Sequence, residues 1–317
     1  MSNIVLNASN ISNSRNNSEL TYHFPRDIEL KNHEVVLSHM NMFFSWFNVS
    51  AANNNNKFSY NWPWSTTGST EFEVNIENGY YDPLMIYEIL LLKMVENGHY
   101  LVLTSDPDNI VVFIELSINP TYYSIEFQFS SIGKYMSIGG SEYLKTVAPA
   151  DNVGDNVLCQ TPTGWTVPTG TSYEAPSINI PDTNFGKLLG FAVGTVAATI
   201  PPSATINTRY TVPAAMPAQM KPQSAFIITC SLVSNIMSSP SNVIASFSVP
   251  GSAMIGDMIS PNISEIWSHV QPGTYSEVRI QILDQNYVPL VVIDPSMLFV
   301  LSIREKASSR LAPPQRW

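Results

Sequence analysis

Residues 33–49 carry the pattern that most restricts what this chain can become. Val35, Leu37, His39, Asn41, Phe43, Ser45, Phe47 and Val49 fall on one face of an extended backbone, and Val36, Met40, Met42, Phe44 and Trp46 on the other. A period of two is the signature of a β-strand, and apolar residues on both faces predict a strand, or strand pair, buried on both sides. The pattern recurs along the chain. Phe72, Val74 and Ile76 alternate with Glu71, Glu73, Asn75 and Glu77, and Val112, Ile114, Leu116 and Ile118 with Val111, Phe113 and Glu115. Asn119-Pro120 then breaks the run before Tyr123, Ile125, Phe127 and Phe129, which reads as a hairpin. Toward the C-terminus, Phe226, Ile228, Cys230 and Leu232 form one face, and Val243, Ala245, Phe247 and Val249 another. Val278, Ile280 and Ile282, then Met297, Phe299, Leu301 and Ile303, close the series.

One segment has helical character. Asp82 is a capping residue, Pro83 suits a first helical turn, and Leu84 to Asn97 favours helix up to the stop at Gly98. Leu84, Glu88, Leu91 and Val95 share one stripe, with Met85, Ile89, Leu92 and Met94 beside it. About eight to ten strands, a single helix and no βαβ rhythm define an all-β antiparallel sandwich.

The texture changes between residues 132 and 222, where ten of the chain's 23 prolines lie between Pro149 and Pro222. A structureless stretch of that length is unusual in a domain, so it reads as an insertion with its own local structure. Within it, Phe185-Gly-Lys-Leu-Leu-Gly-Phe191 is the one element that looks built for a core. The expected organisation is a flexible N-terminal arm at 1–18, sandwich at 19–131, insertion at 132–222, sandwich again at 223–305, and a basic tail at 306–317.

Charge narrows the function classes. Charged residues are 13% of 317, roughly half the usual share for a soluble domain, and the net charge is −10. Neutral polar surface costs less to desolvate than charged surface, which favours subunit assembly. An acidic chain also lacks the clustered cations of a nucleic-acid grip. The local exception is the C-terminal end, with Arg304, Lys306, Arg310 and Arg316 among the last fourteen residues. Cys159 and Cys230 make no CxxC pattern, and two cysteines are no disulfide framework. Neither a signal-peptide pattern nor an apolar run of about 20 residues is visible, so the expectation is synthesis without a signal peptide and no membrane span. Sequons stand at Asn7, Asn10, Asn16, Asn48 and Asn262.

Catalytic patterns fail one by one. His23, His33, His39, His99 and His269 show no metal-binding spacing, and His39 reads as a hydrogen-bonded core residue. At Gly186-Lys187, Pro181 stands where a phosphate loop needs glycine and Leu188 where it needs Ser or Thr. Gly251-Ser252 lacks the flanking glycine of a nucleophile elbow. The row Glu71, Glu73 and Glu77 reads as a solvated or interface face rather than a glycosidase pair. Asp106-Pro-Asp108 and Asp151…Asp155 read as solvated turns without a calcium ladder. The expectation is no catalytic residue, no cofactor, no metal and no enzymatic activity. Aromatics crowd the N-terminal third (Tyr22, Phe43, Phe44, Trp46, Phe47, Tyr60, Trp62, Trp64, Tyr80, Tyr81), read as core and subunit contact.

A set of short segments follows one another in a characteristic order. They are Ser45-Trp-Phe-Asn-Val-Ser50, Lys57-Phe-Ser-Tyr60, Phe72-Glu-Val-Asn-Ile-Glu-Asn-Gly-Tyr-Tyr-Asp82 and Asn97-Gly-His-Tyr-Leu101. Ile114-Glu-Leu-Ser-Ile-Asn-Pro-Thr-Tyr-Tyr123, Asn184-Phe-Gly-Lys-Leu-Leu-Gly-Phe191 and Ile227-Ile-Thr-Cys-Ser-Leu-Val-Ser-Asn235 follow, then Ile282-Leu-Asp-Gln-Asn, Asp294-Pro and Ile303-Arg304. Together they resemble the penton (capsid vertex) proteins of virophages, Polinton/Maverick elements and adintovirus-like DNA viruses. The resemblance implies a single jelly roll acting as a minor capsid protein in the virion. Five copies would close a ring at each icosahedral vertex, a homopentamer in contact with a double jelly-roll major capsid protein. The insertion would then face outward, in reach of a host receptor or glycan, and the arm and basic tail would meet neighbours or nucleic acid inside. A carbohydrate-binding β-sandwich acting in host attachment, and a capsid cement protein, fit the same strand pattern.

Overall fold

In the computed structural model, residues 1–12, 16–63, 68–122, 124–130, 137–139, 142–147, 155–160, 175–198, 209–221 and 223–306 are described, with the backbone alone for the strands of 137–160. The chain divides into two compact units, Met1–Phe47 with Gln223–Trp317, and Asn48–Pro222.

The strands of the first unit are numbered in chain order: β1 (Ser2–Asn7), β2 (Glu19–Leu30), β3 (His33–Phe43), β4 (Ala225–Cys230), β5 (Val243–Ser248), β6 (Met258–Ile259), β7 (Ser268–His269), β8 (Gly273–Asp284) and β9 (Met297–Glu305). They make two antiparallel sheets. One runs β1-β9-β3-β6, with β7 also on β3, and the other β5-β4-β8-β2. The pairing is nested. The first strand pairs with the last (Ser2↔Ile303 to Asn7↔Leu298), β2 with β8 (Leu20↔Ile280, Tyr22↔Val278), β3 with β6 and β7, and β4 with β5 (Phe226↔Phe247). A long antiparallel ribbon folded over itself in this way is a jelly roll. The second unit enters the chain between β3 and β4.

Alternation explains which side chains are buried, with one switch of phase. Val35 and Leu37 point inward, then Ser38 and His39 are exposed, and Met40, Met42, Phe44 and Trp46 are buried. The cause is a bulge: Val300 pairs with His39 but Leu301 with Leu37, leaving Ser38 unmatched. An extra residue moves the following side chains to the other face. Before the bulge Val35, Val36 and Leu37 are buried on both faces, after it only the Met40-Met42-Phe44-Trp46 face is, and His39 is a surface residue rather than a core one. The core between the sheets is aromatic at its centre. Phe44 stacks on Trp46 at 4.1 Å, and Trp46 meets the edge of Phe226 at 4.7 Å.

The N-terminal residues expected to be an arm form β1 instead. Ile4 and Leu6 are buried while Asn3, Val5 and Asn7 face out. Asn-rich composition hid a two-residue alternation that buries only two side chains, supported by pairing with β9. The tail 307–317 lies outside the described residues. Arg304 belongs to β9 itself: its guanidinium donates to Glu34 at 3.1 and 3.2 Å and lies over the Trp267 ring at 3.8 Å.

Loops at each end of the jelly roll are tied together. At one end Asn17 Nδ2 donates to the carbonyls of Val292 (2.9 Å) and Ile293 (3.0 Å), and Phe44 N to Asp257 O (2.8 Å). At the other, Val270 N reaches His33 O (2.9 Å) and Lys306 N reaches Asn32 O (2.8 Å).

The second unit has its own core, so the expected boundary at 131/132 falls inside it. Its four-stranded sheet runs Gly194–Val196, Ser177–Ile180, Lys57–Pro63, Ser69–Asn75, joining residues on both sides of that boundary (Ile178↔Tyr60). A three-stranded sheet does likewise, with Arg209–Pro213 paired to Ser124–Ser130, which pairs to Ile114–Asn119. A five-stranded sheet contains Ser137–Gly139, Glu142–Val147, Asp155–Gln160, Tyr100–Leu103 and Asp106–Val112. Asp106 and Asp108 are therefore strand residues on an exposed run, not a turn.

Helix α1 (Pro83–Glu96) starts where its caps predict, with Asp82 accepting from Met85 N at 2.9 Å, and Gly98 takes φ 74° after its end. Its buried stripe is Ile86, Leu90 and Met94, while Leu84, Met85 and Leu92 are exposed. A helix with apolar residues around most of its circumference leaves the stripe undecided in sequence, so tertiary packing made the choice. A second helix joins it: α2 (Thr183–Leu189), which buries Phe185, Leu188 and Leu189. Gly190 ends it at φ 81°, and a Cβ there would come within 2.0 Å of Met216 O.

Candidate functional site

Two constellations of buried polar groups in the second unit are hydrogen-bonded within the fold. The first centres on the asparagine turn. Asn48 is 1% exposed. Its Nδ2 donates to Tyr81 O at 2.8 Å and Met220 O at 2.9 Å, and its Oδ1 accepts from Tyr81 N at 2.9 Å. Asn55, also buried, donates to Asn48 O and accepts from Ser50 N, both at 2.8 Å. A saturated amide in the interior cannot carry a glycan, so the sequon at Asn48 is a structural clamp that ties residue 81 to residue 220. Asn48→Ala strands three backbone groups and is expected to cost about 2–3 kcal/mol, measured by chemical denaturation.

The second constellation surrounds His99, the one histidine whose position suggests chemistry. Its ring lies flat on Trp62 (4.2 Å between centroids, 6° between planes), and the Phe72 ring meets it at 4.8 Å, nearly perpendicular. Asn97 Nδ2 donates to Tyr60 Oη at 3.1 Å and to Lys93 O at 2.7 Å. With that donation received, the Tyr60 hydroxyl proton points to His99 Nδ1 at 2.9 Å, so His99 is the neutral tautomer with Nδ1 as acceptor. Burial holds His99 down to about 4 and raises Tyr60 well above the usual phenol range. A general base near neutrality needs access to substrate. His99 is 5% exposed and walled by aromatic rings, so its role is to hold the sheet and the end of α1 together.

The carboxylates are surface groups. Glu71, Glu73 and Glu77 are exposed on and after the edge strand Ser69–Asn75. Glu71 accepts from Ser59 Oγ and from Asn179 Nδ2 (3.2 Å), and the Ser59 bond foremost lowers its pKa. Lys187 lies on α2 and Gly186 is packed against Phe191 O, which leaves no loop for a phosphate. Cys230 is fully buried and its thiol is pushed up to about 12 by desolvation, as expected of a small core residue. His23, 3.4 Å from Glu277, is on the surface. No three His, Cys, Asp or Glu side chains among the described residues are grouped to hold a metal, and no described helix is long and apolar enough to cross a membrane. Asp151, Trp64, Arg310 and Arg316 lie outside the described residues.

What sequence reading did not single out are the exposed apolar loops of the first unit. Ile236 and Met237 are 91% and 90% exposed in the β4–β5 connection. Met254, Ile255 and Met258 are exposed at and before β6, and Tyr287, Val288 and Ile293 between β8 and β9. These positions have no periodicity that marks them in sequence. Exposed apolar groups gathered at the ends of a stiff sandwich are the mark of contact with other proteins.

Fold and surface thus define a jelly-roll protein with an inserted β-rich unit and exposed apolar loops. No protein-family model and no curated protein matches the chain. Among solved structures it is similar to the selenomethionine-labelled mavirus penton protein, at 10% identity and a TM-score of 0.43, over 95% of this chain and 96% of that one. It is also similar to a chain of the Sputnik virophage solved by cryo-electron microscopy, at 13% identity and a TM-score of 0.35, over 96% and 98%.

Proposed function

We propose that this chain is a penton-type capsid protein, five copies of which close a ring at each vertex of an icosahedral virion beside a double jelly-roll major capsid protein. The reading is structural, not enzymatic. The observation that carries it is the nested pairing of β1 with β9, β2 with β8, β3 with β6 and β7, and β4 with β5, the fold implied by the ordered motifs of the sequence. Low surface charge and the exposed apolar loops support assembly. A heterologous contact repeated by rotation closes into a ring, and a stable one buries on the order of 2,000 Å². In this reading the inserted unit, residues 48–222, is the part free to vary toward a host receptor or glycan.

Light scattering of the purified protein, alone and with major capsid protein, tests it. The expected result is the mass of five chains, or five-fold caps on added shells. A stable monomer that ignores the capsid protein overturns the vertex role and favours a glycan-binding sandwich.

A further inference from the structure

His99 sits where three elements of the second unit meet. Gly98 ends α1 at φ 74°, the His99 amide donates to Met94 O at 2.8 Å, and the strand Tyr100–Leu103 begins at the next residue. The ring then touches the strand Lys57–Pro63 through Tyr60 and Trp62, and the strand Ser69–Asn75 through Phe72.

The hydrogens on its Nδ1 side are all placed. Asn97 Nδ2 gives one to Lys93 O and one to Tyr60 Oη, and the Tyr60 hydroxyl gives its own to His99 Nδ1. A neutral ring of this tautomer carries its hydrogen on Nε2, so an added proton must take Nδ1, the atom that already accepts from Tyr60. The hydroxyl would then have to turn its hydrogen away, beside the Phe72 ring that stacks on Tyr60 at 5.3 Å. The charged groups on the same elements look elsewhere. Lys93 and Glu96, in the last turn of α1, pair with each other at 3.1 Å on the surface. Glu71 and Glu73 are exposed, on the side of their strand opposite Phe72, where Glu71 accepts from Ser59. A buried cation without a facing counter-charge is costly, and opening the site is the way to hydrate it.

We infer that His99 is an acid-released latch. A proton on Nδ1 frees the end of α1 and the hairpin of Tyr100–Leu103 and Asp106–Val112 from the strand that carries Tyr60 and Trp62, while the first unit stays closed. The latch assigns acid regulation to the inserted unit and does not rest on the ring proposed above. Burial holds the imidazole at about 4 in the closed form, and once released it titrates near its ordinary 6.5. Below that value the open form binds the extra proton, so its population relative to the closed form rises on the order of fiftyfold between pH 7 and pH 4.5.

Amide exchange of the full-length protein, read residue by residue as protection factors at pH 7 and pH 4.5, tests it, with histidine 15N spectra of the same sample. Protection of the Gly98 and His99 amides is expected to fall on the order of fiftyfold, and that of Ile282 in the first unit by far less. In His99→Gln, whose side-chain oxygen still accepts from Tyr60 but does not titrate, most of that fall should vanish. An equal fall at Ile282 would mean that the whole chain opens together. A fall as large in His99→Gln would assign it to carboxylates. A ring that takes its proton near pH 6.5 with the Gly98 and His99 amides still protected would mean that the Trp62 face carries the charge. Each of these overturns the latch, and the last is read on the native chain, so it decides even where His99→Gln fails to fold.

Discussion

Phe185→Ala is expected to destabilise the second unit by about 3–5 kcal/mol. Phe185 is fully buried on α2 and stacks on Phe58 at 4.9 Å and 15°. Helix α2 is only Thr183–Leu189, too short to persist without packing, and Phe185, Leu188 and Leu189 are what hold it. The helix cannot slide to fill the void, because its C-terminal turn is fixed by Gly190, whose amide oxygen accepts from Met216 N at 3.1 Å. Urea unfolding followed by residue-resolved amide exchange would register the loss in residues 48–221 and leave the first unit's protection unchanged. Equal loss in both units would mean that they unfold as one, contrary to their separate cores.

Acid should loosen the same unit through His99. In an unfolded chain this imidazole titrates near 6.5, and in the fold at about 4 because burial penalises its charge. Between those values the unfolded chain binds more protons than the folded one. The contribution is therefore complete above about pH 6.5 and is lost as the pH falls toward 4, where the loss amounts to about 3 kcal/mol. Protonation also removes the Nδ1 acceptor that the Tyr60 hydroxyl uses, which couples the sheet to the end of α1. Glu71, whose carboxyl is held below its usual range, acts in the same direction on an exposed strand and adds little. Unfolding midpoints at pH 7 and pH 4.5, compared between the native chain and His99→Gln, isolate the imidazole. The variant should lose most of the native chain's pH dependence in that window; an unchanged dependence would assign it to carboxylates.

Much of this molecule was legible in local sequence. Asp82, Pro83 and Gly98 set the ends of α1 because capping depends on neighbouring residues alone. The inward faces of β8 and β9 follow from Val278, Ile280 and Ile282 and from Met297, Phe299, Leu301 and Ile303. Motif order anticipated a jelly roll. His99 was legible only as a residue without a metal partner, since its stacking on Trp62 and its bond to Tyr60 join segments 37 and 39 positions apart.

What only the tertiary structure decided is partnership. A period of two says which side chains share a face but not which strand lies alongside. Ser2 therefore gave no sign that it pairs with Ile303, nor Ile178 that it pairs with Tyr60, and the boundary of the inserted unit moved from 132 to 48 on those pairings. The same holds for Ser38, whose bulge switches which face of the strand is buried from residue 40 onward. Strand identity is a local balance of side chain and backbone, which the sequence carries by itself. Register and pairing are set by which edges and apolar faces fit across hundreds of residues, and that balance exists only in the folded chain.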